Sequence, residues 1–180
     1  LLIIRTLIVI LLVLLFSRPI MQRGGGLAKS AEEPIHMVLI MDNSYSMGQQ
    51  AQGDAKNAFE KARETAFRCM KILKPYDRVA VLLMASEPIG LVPSFSANNE
   101  FVAEKIKEAR LSYKTTSLPA ALSAANRLFM DTAAVNKKVV IITDMAKHLI
   151  DGVDEKDVKK LDKDMQIIFL PAGEELENLC

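Results

Sequence analysis

The chain has 180 residues, half of them apolar, which is enough for one domain with a sizeable core and a short appendage. Lys and Arg number 23 against 22 Asp and Glu, a formal charge of +1, and no basic block is interleaved with aromatics, so nothing in the charge points to nucleic acid as a partner. Two cysteines, Cys69 and Cys180, are too few and too far apart in sequence for a zinc site or a disulfide framework.

The first element is LLIIRTLIVILLVLLF, Leu1 to Phe16, apolar apart from Arg5 and Thr6 and closed by Ser17, Arg18 and Pro19. A helix of that length rises about 24 Å against a bilayer core of about 30 Å, and no small-residue cleavage site comes after it. Residues 1–20 are therefore expected to form a transmembrane helix, with Arg5 near one membrane face where its side chain snorkels to the headgroups. The chain begins without Met and stops in an unpunctuated run, so it is read as a piece of something longer. Arg18, Arg23 and Lys29 lie just after the span, and a bare count of positive charges puts the C-terminal domain in the cytoplasm. Residues 21–33, with three consecutive glycines at Gly24 to Gly26, lose all apolar periodicity and are expected to be a flexible linker.

From Pro34 onward the pattern is that of a folded domain. Continuous apolar runs at Ile35 to Met41, Arg78 to Ala85, Lys138 to Thr143 and Met165 to Leu170 indicate strands buried on both faces, as in a parallel sheet. A short edge segment is expected near Ile89 to Val92. Helical spacing appears over Ala55 to Leu73, ended by Pro75, over Phe101 to Ala109, and over Leu118 to Phe129, where Ser117 is the expected N-cap and Pro119 lies in the first turn. The highly charged stretch Asp151 to Asp164 reads as a solvated crossover. The order of elements predicts an α/β domain with a doubly wound, mostly parallel sheet and helices on both faces.

In such sheets function gathers beyond the carboxyl ends of the strands. Two runs end there in carboxylates, VLIMDNSYS at Asp42 and VVIITD at Asp144, and the loop KTTSL, Lys114 to Leu118, opens a helix on the same side. Asp42, Ser44 and Ser46 are spaced two apart, so in a chain leaving a strand they can aim to one side while Asn43 and Tyr45 aim elsewhere. Two carboxylates with several hydroxyls, and neither His nor Cys, form an oxygen-only set of the kind a hard cation such as Mg²⁺ takes.

These residues resemble the metal-ion-dependent adhesion site of the von Willebrand factor A (vWA) family, a DxSxS motif after the first strand, a Thr ahead of a helix and an Asp after the fourth strand. Asp42, Ser44 and Ser46 match the first part, Thr116 the second and Asp144 the third, over a resemblance running from about Pro34 to Gly173. Thr115 is the less suited neighbour of Thr116, and Met145 stands where many members have Gly. The resemblance implies Mg²⁺ or Mn²⁺ held directly by Ser44, Ser46 and Thr116, with Asp42 and Asp144 acting wholly or partly through water, and an open position for a carboxylate of a protein partner. It implies ion-bridged binding rather than catalysis. Together with the apolar segment, the chain also resembles bacterial membrane proteins of the aerotolerance-operon (Bat) type, which implies an inner-membrane anchor, with residues 1–20 the second of two spans, and a domain over residues 34–173 in the periplasm, with an extension from residue 174.

Other readings remain beside this one. Asp42 and Ser44 can simply form an Asx turn. A scaffold with the same fold and no metal is a second possibility, and a Mg²⁺-dependent phosphotransferase of the haloacid-dehalogenase type a third, although Ser44 stands where such an enzyme needs an acid. No GxxxxGKS or GxGxxG appears for a nucleotide. His36 and His148 have no partner at ligand spacing. The nine methionines read mostly as core filler, with packing against a partner as the alternative for Met47, which flanks the motif, and Tyr45 is open between core cover and exposed contact.

Overall fold

In the computed structural model the described residues are 3–7, 33–50, 55–112, 115–144 and 161–172. The chain forms two compact units, Leu1–Ala31 and Glu32–Cys180. Of the first, residues 3–7 are helical and exposed. Most of the expected transmembrane segment and all but Glu33 of the expected linker lie outside the described residues. Among the described residues no helix is long and apolar enough to cross a membrane.

The second unit is organised by β1 (Ile35–Asp42), whose residues from Met37 onward are all buried. It runs parallel to β2 (Arg78–Met84) on one side and to β4 (Asn136–Thr143) on the other. Next to β4 lies β5 (Met165–Pro171), also parallel, and outside β2 lies β3 (Ile89–Ser96), antiparallel. The order β3-β2-β1-β4-β5 puts the reversal of winding at β1, between β2 and β4. This is the doubly wound sheet the sequence predicts.

Alternation along β1 divides the core. Met37, Leu39 and Met41 face one layer, built with Phe59, Ala62, Ala66 and Met70 of α1 (Ala58–Ile72) and Val102 and Ile106 of α2 (Asn99–Glu108). Val38 and Ile40 face the other, built with Leu118, Leu122 and Phe129 of α3 (Leu118–Met130). With helices on both sides every position of the strand needs an apolar side chain, hence runs rather than alternation in the sequence. Ser117 caps α3 as expected, its Oγ accepting from the Ala120 amide at 3.3 Å. At α1 the helix starts three residues later than its apolar spacing, because Asn57 and Glu60 form a capping box. Asn57 Oδ1 accepts from the Glu60 amide at 2.8 Å, and Glu60 Oε2 accepts from the Asn57 amide at 3.3 Å.

The edge strand β3 runs on to Ser96, past the expected end at Val92. Pro93 interrupts its pattern without ending it, since an edge strand tolerates a missing amide donor, and its pairing with β2 is irregular on either side of Val81. Of the charged crossover only residues 161–164 are described. There Asp162 pairs with Lys137, and its backbone amide donates to Asn126 Oδ1 at 3.2 Å.

Two further groups lie in or against the core. His36 stacks edge-on to Phe95 with ring centroids 5.1 Å apart, and burial, with Arg78 adding to it, holds its imidazole below the ordinary histidine pKa. Cys69 is buried under α1, and burial pushes its thiol up to about 11. Both are packing residues. A buried polar fastening lies at Asp77, in the turn between α1 and β2. Its Oδ1 accepts from the Ile35 amide and its Oδ2 from the Lys74 amide, both at 2.8 Å, so one carboxylate ties the start of the central strand to the turn.

Candidate metal centre

The site is built where β1 and β4 end side by side. Met41 is in register with Ile142, so the next residues, Asp42 and Thr143, lie abreast. Thr143 Oγ1 donates to Asp42 Oδ2 at 2.8 Å, and the Ser44 amide donates to Asp42 Oδ1 at 2.9 Å. The second bond is the Asx-turn contact, present together with the rest of the site. Beyond it Tyr45–Gly48 form a single 3₁₀ turn capped by Ser44. Ser44 makes no side-chain cap bond. Its hydroxyl instead lies 2.8 Å from that of Ser46.

The loop is held from both sides. Met47 is fully buried and pins the turn into the core, which is the core-filling role and not the alternative of a partner contact. Asn43 turns away from the serines: its Nδ2 donates to the Arg110 carbonyl at 3.3 Å and its own carbonyl accepts from the Ser112 amide at 2.8 Å. Tyr45 is 66% exposed, which settles it as a surface side chain. The third segment arrives over β2. Met84 is in register with Asp42, and two residues on the Ser86 amide donates to the Thr115 carbonyl at 2.8 Å. This fixes Thr115 and Thr116 at the carboxyl end of the sheet, with Thr115 exposed and Thr116 half-buried.

Asp144 comes directly after Thr143, at the solvent rim. Burial by the surrounding protein, and secondly the charge of Asp42, push its carboxyl above the ordinary aspartate pKa. None of the ion pairs among the described residues involves Asp42 or Asp144, and no three of His, Cys, Asp and Glu converge among them. The two serine oxygens stand 2.8 Å apart, a hydrogen-bond distance that is also close to the roughly 2.9 Å between two cis ligands of an octahedron with bonds of about 2.0–2.1 Å. The five expected ligands thus lie on segments that meet at one end of the sheet, with close contacts linking Asp42, Ser44 and Ser46. Thr143 is not one of the five. Its only sequence signal is a hydroxyl at the end of a buried strand.

Comparison with known proteins identifies the architecture. A model of the von Willebrand factor type A domain matches residues 37–147, more than half of the chain. The chain belongs to this family. Among solved structures, BatB of Bacteroides thetaiotaomicron is similar to this vWA domain over 76% of the chain and 66% of its own, at 20% identity and a TM-score of 0.59. An aerotolerance-related membrane protein of Bacteroides fragilis aligns over 76% and 67%, at 19% identity and a TM-score of 0.59. The vWF domain of the type V pili tip protein Mfa5 of Porphyromonas gingivalis aligns over 62% and 38%, at 24% identity and a TM-score of 0.53. At such identities the likeness is one of fold, and the chain spans less than two thirds of BatB. No curated protein matches the sequence.

The carboxylate pair gives a prediction for the metal-free vWA domain. Ionising Asp144 costs the fold, because its folded pKa lies above the ordinary 3.8. The cost is absent in acid, appears as pH rises past about 4 and is complete above the raised pKa. Asp144→Asn lacks it. With chelator present, the variant is expected to melt higher than the parent near neutral pH and no higher at about pH 3, as read by circular dichroism.

Proposed function

We propose that this vWA domain is a protein-interaction module that works through a divalent cation, Mg²⁺ or Mn²⁺. Ser44, Ser46 and Thr116 are the direct ligands, and Asp42 and Asp144 stand behind them and act wholly or partly through water. The observation that carries the reading is the meeting of the Ser44 and Ser46 hydroxyls at 2.8 Å beside two carboxylates that no described cation neutralises. When bound, the ion supplies positive charge for a carboxylate offered by a protein partner. The chain's own residues do the positioning. Thr143 and the Ser44 amide orient Asp42, Asn43 ties the loop to Arg110 and Ser112, and Met47 holds the turn down. With Ser44 where a phosphotransferase of this fold type needs an acid, we assign the site binding and no reaction. We further propose that residues 1–20 anchor the protein in the bacterial inner membrane and that residues 34–173 act on the periplasmic side. This is supported by the apolar sequence of that segment and by similar folds in proteins described as membrane proteins.

The test is thermal unfolding with and without Mg²⁺, for the parent and for Ser46→Ala. The parent midpoint is expected to rise with Mg²⁺ and the variant midpoint to stay put. A parent that ignores both Mg²⁺ and Mn²⁺, or a variant that responds equally, removes the metal. That result would leave the metal-independent scaffold, a reading favoured by one observation, that both oxygens of Asp42 already have partners within the protein.

A further inference from the structure

The two ends of the sheet differ. The parallel strands β1, β2 and β4 all begin at the edge opposite the metal centre, Ile35 beside Asn136 and His36 beside Arg78. Around that edge lie Met130, 74% exposed, Val135, 68%, Ile72, 52%, and Tyr76, 48%. Glu33, Val135 and Lys163 line one depression there. The Asp77 carboxylate binds the turn Lys74 to Asp77 against the start of β1, so Tyr76 belongs to the same edge.

Between Arg68 and Arg78 the composition of this edge is specific. Arg68, Lys71, Ile72, Lys74, Tyr76 and Arg78 are all exposed. The one acid in that stretch, Asp77, is buried with both oxygens on backbone amides, so it presents no charge to an approaching surface. Four cations on long flexible stems around an isoleucine and a tyrosine combine what an anionic bilayer surface selects, phosphate attraction with an aromatic ring and an aliphatic chain at headgroup depth. The chain also enters the domain at this edge.

We propose that this edge of the domain docks on an anionic phospholipid surface through Arg68, Lys71, Ile72, Lys74, Tyr76 and Arg78. Docking there turns Asp42, Ser44 and Ser46, at the far ends of the same strands, away from the bilayer and toward partners. The geometry rests on the reading of residues 1–20 as a membrane anchor. The surface itself does not, and each cation near such a surface favours binding by roughly fivefold.

The experiment uses the full chain carrying Cys180→Ser and Pro75→Cys, with an environment-sensitive fluorophore on residue 75; Cys69 is buried and does not compete. The probes are vesicles of phosphatidylcholine alone and vesicles that also contain phosphatidylglycerol. On the anionic vesicles the emission is expected to shift to the blue and to be quenched several-fold more by a lipid-borne quencher. Lys71→Glu with Arg78→Glu, or molar salt, abolishes the difference. A fluorophore at the other end, through Glu87→Cys, stays in water throughout. Flotation on neutral vesicles reports the anchor separately, so its loss with a retained charge-dependent shift removes the anchor and keeps the surface. Equal emission on both vesicle types, no effect of charge reversal, or an equal shift at residue 87 overturns the proposal.

Discussion

Asp77→Ala is expected to lower the unfolding free energy by about 3 kcal/mol, a large share of the about 5–15 kcal/mol that holds a domain together. The carboxylate is buried and makes two bonds of 2.8 Å, to the Ile35 and Lys74 amides. Alanine leaves both donors unpaired, and each costs roughly 1–3 kcal/mol when water cannot reach it. Asp77→Asn keeps one oxygen and should lose about half as much. Urea unfolding measures this as a lower midpoint at unchanged slope. Because Asp77 sits at the start of β1 and the site at its end, the folded Asp77→Ala protein should still respond to Mg²⁺. A loss below about 1 kcal/mol would mean that solvent replaces the carboxylate and that the strand is not fastened there.

The second large effect concerns Asp42, and two substitutions divide it. Asp42→Ala removes the acceptor for the Ser44 amide and for Thr143 Oγ1, at about 2 kcal/mol, part of which is offset by relieving repulsion with Asp144. Asp42→Asn keeps an acceptor for the Ser44 amide, and the Thr143 hydroxyl can rotate to accept from the new amide, so its metal-free stability should stay close to the parent's. Neither variant should gain from Mg²⁺, whereas the parent at a hundredfold excess over its Kd gains about 2.7 kcal/mol. Chemical unfolding in Mg²⁺ and in chelator gives all six values. An Asn variant that keeps the full Mg²⁺ gain would show that Asp42 is a turn former and no part of an ion site.

The strands, their order and the winding were legible because they leave a local signal: four apolar runs too continuous for a one-sided sheet, separated by helical spacing. The three candidate segments were legible because two end strands and the third opens a helix, and strand ends and helix starts of such a sheet face one crevice. What could not be read depends on contacts distant in sequence. Asp77 looks like an ordinary turn acid after Lys74 and Pro75, yet its partner Ile35 lies 42 residues away. Thr143 gives its proton to a residue 101 positions earlier. Asn43 is fixed by Arg110 and Ser112 and carries no motif of its own. Met47 leaves two readings open, core filler or partner contact, because its neighbours on both sides are polar, and one 3₁₀ turn suffices to rotate it into the core. Asn57 and Glu60 do carry a local signature, since an Asx residue with Glu three positions later is a capping pattern.

The two layers that sandwich β1 differ in sulfur content. The layer under α1 and α2 is rich in sulfur, with Met37, Met41, Met47, Cys69 and Met70, while the α3 layer is built from Val38, Ile40, Leu118, Leu122, Phe129 and Ile141 with Met84 as its one fully buried thioether. Unbranched thioethers change rotamer at little cost, and branched or aromatic side chains do not. The turn that carries Ser46 rests through Met47 on the sulfur-rich layer, whereas Thr116 precedes the helix that packs on the other. A cation bound as proposed would therefore be expected to move the serines more readily than the threonine, between one soft jaw and one hard one.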